Sequence, residues 1–150
     1  MANLTVTHTE DITLNGQQFG GTTIKSISGI NEISKRILTI TTAESTIATF
    51  SAAVASAGHY IAADTRYIRF TNQDGTNFIM LTFKDEDNTE FRIKVDAGQS
   101  FIYNGDNAGG LVDTMKSNGA ALSSGLADLY DITADADTAS CDLEMFIASV

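Results

Sequence analysis

Hydrophobic and polar residues alternate at every second position along most of this chain. Leu4 and Val6 alternate with threonines, and Phe91, Ile93 and Val95 alternate with charged residues. A period of two is the side-chain period of a strand that buries one of its faces. The pattern therefore predicts a succession of short strands.

Turn signals separate these runs. Asn15-Gly16 lies between two of them and predicts a type I′ hairpin, because both central residues of that turn need a positive φ. Polar clusters at residues 72–75 and 85–88 predict two further turns. The small residues at 51–57 are compatible with either a short helix or a tight bend, and residues 111–127 are predicted to be irregular because glycines interrupt them.

Short strands at regular spacing, with no alternation of strands and helices, predict a mainly β fold with little helix. We expect an antiparallel β-sandwich or a jelly-roll-like barrel. The chain has 150 residues and no linker composition divides it, so a single β domain over residues 1–150 is expected.

One run is apolar on both of its faces. Phe78 and Met80 lie on one side of a predicted strand and Ile79, Leu81 and Phe83 lie on the other. Such a strand is buried on both sides, or it packs one face against a partner. These five residues are therefore predicted to form a subunit interface.

The charge balance excludes several classes of partner. Nine Lys and Arg face nineteen Asp and Glu, which gives a net charge of −10. Nucleic acids and anionic membranes would be repelled by this balance, so neither is an expected partner. The first residues show no signal peptide, which predicts synthesis in the cytoplasm. The single cysteine, Cys141, is predicted to be a buried structural thiol.

No motif for catalysis or for a cofactor is present. Gly98-Gln99-Ser100 begins like a nucleophile elbow, but the second glycine is missing. The glycines of residues 105–110 lack the Lys-Ser/Thr ending of a phosphate-binding loop. We therefore expect a protein that is not an enzyme and has no cofactor.

Acidic residues in loops are the remaining candidates for a metal site. Asp106 lies among asparagine and glycine, and Asp135 and Asp137 are spaced by one residue. Their oxygens could bind Ca²⁺, which takes about six to eight oxygen ligands. Solvated turns, which favour Asp and Asn, are the alternative interpretation.

Two segments resemble a known class of proteins. Residues 67–79, which read YIRFTNQDGTNFI, and residues 91–101, which read FRIKVDAGQSF, are similar to small virion proteins of marine and cyanobacterial tailed phages. The resemblance implies a capsid decoration (cement) protein, or a head–tail or fibre component, located in the virion. The implied partners are the major capsid protein or other virion proteins, and such proteins usually act as homo-oligomers.

A second hypothesis is a carbohydrate- or Ca²⁺-binding β-sandwich module, such as a fibre or receptor-binding component. A sugar site of this kind needs an aromatic platform beside acidic or amide side chains. The aromatic candidates are Tyr60, Tyr67, Tyr103 and Tyr130.

Overall fold

A computed structural model describes residues 1–116, 121 and 125–150. These residues form strands and turns without any helix, and hence without a helix that could cross a membrane. The strands in this part of the chain are β1 (Ala2–Glu10), β2 (Thr13–Leu14), β3 (Gln17–Gln18), β4 (Gly21–Ile30), β5 (Glu32–Ile40), β6 (Ser45–Ser51), β7 (His59–Ile61), β8 (Thr65–Asn72), β9 (Ile79–Asp85), β10 (Glu90–Val95), β11 (Ser100–Asn104), β12 (Leu129–Ala136) and β13 (Cys141–Ser149).

Two sheets make up the body of the protein. The four-stranded sheet has the order β5-β13-β8-β11, and all its pairs are antiparallel. The five-stranded sheet has the order β10-β9-β12-β6-β7, antiparallel except for the short pair β6-β7. Within the described residues no strand pairing joins one sheet to the other, so the sandwich is open and is not a closed barrel.

The order of the strands identifies the topology. With β7 set aside, eight strands run from β5 to β13. One sheet has the order β5-β13-β8-β11, which are the first, eighth, third and sixth of these strands. The other has the order β6-β12-β9-β10, which are the second, seventh, fourth and fifth. This is the strand order of a jelly roll, which is built from two Greek keys. The predicted antiparallel sandwich is therefore confirmed.

Aromatic rings join the two sheets at the centre of the core. The ring of Phe83, in the five-stranded sheet, lies 6.1 Å from that of Phe70 and 5.4 Å from those of Phe101 and Tyr103, centroid to centroid. These three rings belong to the four-stranded sheet, while Phe91 stacks on Phe83 from the neighbouring strand at 4.9 Å. Each such pair contributes about 0.5–1.5 kcal/mol beyond the burial of its area. Phe83 is thus a central contact between the layers.

The interface predicted on β9 needs a correction. Ile79, Leu81 and Phe83 are fully buried between the sheets and are not available to a partner. The reason is that this face of β9 packs on the four-stranded sheet, where the Phe83 ring meets Phe70, Phe101 and Tyr103. Phe78 and Met80 are half-buried, and the Lys94 ammonium lies 4.7 Å from the centre of the Phe78 ring.

A pair of phenylalanine substitutions tests this placement. Phe83→Ala should lower the free energy of unfolding by about 3–5 kcal/mol, because it opens a cavity where five rings meet. Phe19→Ala removes a ring that is 63% exposed and should change the same quantity by less than about 0.5 kcal/mol. Urea unfolding measures both, and equal losses would contradict the buried position of Phe83.

Candidate interaction surface

The first strands of the chain form a long two-stranded ribbon, which we call the arm (residues 2–30). β1 and β4 pair antiparallel from Glu10 opposite Gly21 down to Ala2 opposite Ile30. β2 and β3 extend the ribbon to its turn, where Asn15-Gly16 have φ values of 51° and 78°. Both values are positive, as the predicted type I′ turn requires.

Local contacts give the tip of the arm a defined shape. The Gln18 side-chain NH₂ donates to an Asp11 carboxylate oxygen at 2.6 Å, and the Thr13 hydroxyl donates to the side-chain oxygen Oε1 of Gln18 at 2.7 Å. A Cβ on Gly20 would lie 2.0 Å from the backbone oxygen of Glu10, so only glycine allows the strands to approach here. Side-chain hydrogen bonds and a close approach at Gly20 therefore define the hairpin at the tip.

The base of the arm packs on the outer face of the four-stranded sheet. Ile27 and Ile30 are buried against Tyr67 and Ala148, and the Tyr67 ring meets Phe146 edge to face at 6.1 Å. Burying one large apolar side chain stabilises a fold by about 1.5–3 kcal/mol, so this contact fixes the arm firmly. We call this cluster the arm anchor; its half-buried members are Leu4, Val6, Ile102, Phe146 and Val150.

Beyond the anchor the arm is exposed on all sides. Residues 7–19 and 21–26 are all exposed. Among them Ile12, Leu14, Phe19 and Ile24 are 54%, 57%, 63% and 66% exposed. Ile12, Leu14 and Phe19 lie close together near the tip, where the Phe19 N–H donates to the Ile12 carbonyl oxygen at 3.0 Å. A group of apolar side chains that remains in water on a folded protein marks a contact site for other molecules. The arm is therefore the leading candidate interaction surface.

An ion cluster lies beside the arm anchor. Glu144 accepts a hydrogen bond from Arg69 at 2.5 Å, and the Lys35 ammonium lies 3.1 Å from its second oxygen. The hydrogen bonds from Lys35 and Arg69 lower the pKa of the Glu144 carboxyl below its usual value. The Arg69 guanidinium also lies 5.9 Å from the centre of the Phe146 ring, which links the ions to the arm anchor.

The three aspartates of the predicted calcium site are not brought together. Asp106 follows β11 beside the start of β8, where the backbone N–H of Gly109 donates to its carboxylate. Asp137 lies at the opposite end of the sandwich, where its N–H donates to the Phe78 carbonyl just before β9. Asp135 is on β12. No metal-binding group of three or more His, Cys, Asp or Glu occurs in the described part of the chain, so the predicted site is corrected to separate loop and strand positions.

Of the four candidate tyrosines of a sugar site, only Tyr130 is exposed. Tyr130 is 46% exposed, whereas Tyr67 and Tyr103 are covered by the fold, and their burial raises the pKa of both hydroxyls. The Tyr60 hydroxyl accepts a hydrogen bond from Arg36 at 2.7 Å. Tyr130 borders a cavity of about 450 Å³, and its other lining residues include Phe50, Glu86, Asn88, Val112 and Asp128.

The single cysteine is buried, as predicted. Cys141 is 1% exposed, and burial raises the pKa of its thiol. Its sulfur donates to the carbonyl oxygen of Ala139 at 3.4 Å. A protonated thiol in this position packs as a small apolar group.

Comparisons with known proteins give no match for this chain. No protein-family model matches the chain, and no similar protein is found among curated proteins or solved structures. The arm, the ion cluster and the Tyr130 cavity are therefore the features from which function is inferred.

Sequence reasoning missed the exposed residues of the arm. Ile12 and Leu14 shortly precede the Asn15-Gly16 turn, and an apolar residue beside the tip of a long hairpin lies far from any core. That spacing was the available signal. The larger apolar content of β9 favours that strand as the interface, although Ile79, Leu81 and Phe83 are buried in the core.

The ion cluster generates a prediction about pH. Because the folded pKa of Glu144 is lowered, its charge stabilises the fold above the unfolded pKa of about 4.3 and ceases to do so as pH falls through the folded value. Glu144→Gln should therefore cost about 1 kcal/mol near neutral pH. The difference from the wild type should shrink below about pH 4.

Thermal unfolding across pH measures this difference, with Glu10→Gln on the exposed arm as the matched control. The control should unfold at the wild-type temperature near neutral pH, because the Glu10 side chain is exposed. A deficit of Glu144→Gln that stays the same in acid would show that the ion cluster does not cause it.

Proposed function

We propose that this chain is a non-enzymatic structural protein of a phage particle, and that it decorates the capsid by means of its arm. One observation carries the proposal. The base of the arm is buried in the arm anchor, while its distal part exposes Ile12, Leu14, Phe19 and Ile24. A protein built in this way acts through a contact with another surface, because the exposed side chains are more stable when covered.

The assignment to a virion draws on two further points. The segments that resemble phage virion proteins, residues 67–79 and 91–101, form most of β8, the first residue of β9, most of β10 and the start of β11. They are thus framework strands of the sandwich. Jelly rolls occur in viral capsid domains and in lectins, which is support by analogy of fold.

The shape of the arm indicates what kind of surface it binds. Neither outer edge of the β1-β4 ribbon pairs with another strand of the described chain, so both can accept a strand from a partner. The exposed isoleucines, leucine and phenylalanine require an apolar depression beside that strand. The proposed partner is the major capsid protein or another virion protein with such a surface, and the chain acts as a homo-oligomer on the particle.

A capsid-binding assay tests this function. Particles stripped of this protein should bind the wild type, and Phe19→Asp should weaken binding by about tenfold or more, because it places a charge in an apolar contact. Val54→Asp is the matched control, since Val54 is 59% exposed and lies outside the arm. Cosedimentation at several protein concentrations gives the two affinities.

The proposal fails if Phe19→Asp binds as tightly as Val54→Asp, or if the wild type does not bind particles. Both variants should keep the wild-type melting temperature, because both side chains are exposed. A fall in the melting temperature of Phe19→Asp alone would also count against a purely external role for the arm.

The Tyr130 cavity favours carbohydrate binding as a second candidate function. Its rim combines an exposed aromatic ring with Glu86, Asn88 and Asp128, which can accept hydrogen bonds from sugar hydroxyls. We expect a glycan-array signal from the wild type that Tyr130→Ala removes and Tyr103→Phe retains, because Tyr103 lies outside the cavity lining. A silent array would dismiss this candidate.

A further inference from the structure

One edge of the sandwich is long, regular and unpaired. β5 pairs with β13 over its full nine residues without a register shift, and no described strand lies on its other side. The edges formed by β7, β10 and β11 are three, six and five residues long. Proteins usually protect an edge with a short strand, a bulge or a proline, and β5 has none of these.

The cations of β5, which could also protect it, are already engaged within the chain. Lys35 is paired with Glu144 at 3.1 Å, and the guanidinium of Arg36 donates to the Tyr60 hydroxyl at 2.7 Å. Lys35 lies on the outer face of the sheet and Arg36 on the inner face. Both cations thus have a partner within the chain, which weakens their repulsion of a second strand.

The arm leaves this edge open. The members of the arm anchor come from the arm, from β8, β11 and β13, and from the residue after β13, but none comes from β5. On the inner side a cleft of about 350 Å³ separates β5 from the loop at residues 54–58. Neither the arm anchor nor another described strand therefore covers the edge of β5.

Two isoleucines make the outer face of this edge self-complementary. Ile33 and Ile37 are 57% and 61% exposed and lie two residues before and after Lys35. If a second β5 lies antiparallel with Lys35 on the axis, Ile33 is opposite Ile37 of the partner subunit, and the same pair occurs again on the other side. Ile33 is also opposite Ala148, so these pairs would extend the existing arm anchor.

We propose that β5 pairs antiparallel with β5 of a second copy of this chain, across a two-fold axis beside Lys35. The two four-stranded sheets then become one continuous sheet of eight strands. Seven residues of each strand, 32–38, take part. On the inner face Ser34 is opposite Arg36 of the partner subunit, and Glu32 of the partner subunit lies diagonally across from Arg36. The opposed lysines each retain Glu144 as their counter-ion.

This pairing rests only on the homo-oligomeric part of the proposed function. It names the self-contact and leaves the arm free to bind a different protein. Failure of the β5 contact and failure of the arm contact are separable, because the variants that test them lie on different elements.

Cysteine cross-linking tests the register. Lys35→Cys places two thiols opposite each other on the axis, so mild oxidation should give a disulfide-linked dimer. Ser34→Cys and Arg36→Cys are the matched controls, because they would self-pair only in registers shifted by two residues. The native Cys141 is 1% exposed and should not react. A dimer through position 34 or 36 in place of 35 would overturn the proposal.

Sedimentation of the unmodified protein tests the contact itself. The wild type should dimerise as its concentration rises, and Ile37→Lys should weaken the dimer by roughly tenfold or more. Ile24→Lys is the matched control, because it makes the same change at an isoleucine of the arm that is 66% exposed. A monomer at millimolar concentration, or equal weakening by both variants, would overturn the proposal.

Discussion

The position of the arm on the sandwich depends on one contact, the burial of Ile27 and Ile30 against Tyr67 and Ala148. A two-stranded ribbon is only marginally stable in water by itself. Packing its base on the sandwich stabilises the ribbon where it leaves the sheets, and the Asn15-Gly16 turn sets the register of its strands. The exposed apolar side chains near the tip are therefore placed by this turn and by the pairing of the two strands.

The same outer face carries three features with different physical origins. The arm anchor is apolar, the Glu144 ion cluster is charged, and the β5 edge offers unpaired backbone with Ile33 and Ile37 beside it. Glu144 connects them, because Lys35 belongs to β5 and Arg69 lies against Phe146 of the arm anchor. The opposite face of the sandwich has another character: it carries Arg92, Lys94 and the acidic side chains of β12.

Local rules predicted most of the fold, and long-range placement explains what they missed. Alternation gave the strands, and Asn15-Gly16 gave the hairpin, because both depend on neighbours in the chain. The exposure of β9 could not be read in this way, because burial of Ile79 depends on strands far away in sequence. For the same reason Asp106 and Asp137 looked compatible with one site although the sandwich places them at opposite ends.

Cryo-electron microscopy of the phage particle that we propose carries this chain tests the central claim most directly, since it shows which surface of the chain meets its neighbours. If the chain decorates a capsid by means of its arm, as proposed, density for Ile12, Leu14 and Phe19 will lie in an apolar depression of an adjacent capsid subunit. A reconstruction in which the arm extends into solvent while another face holds the chain in place would contradict it. So would a particle that does not contain this protein.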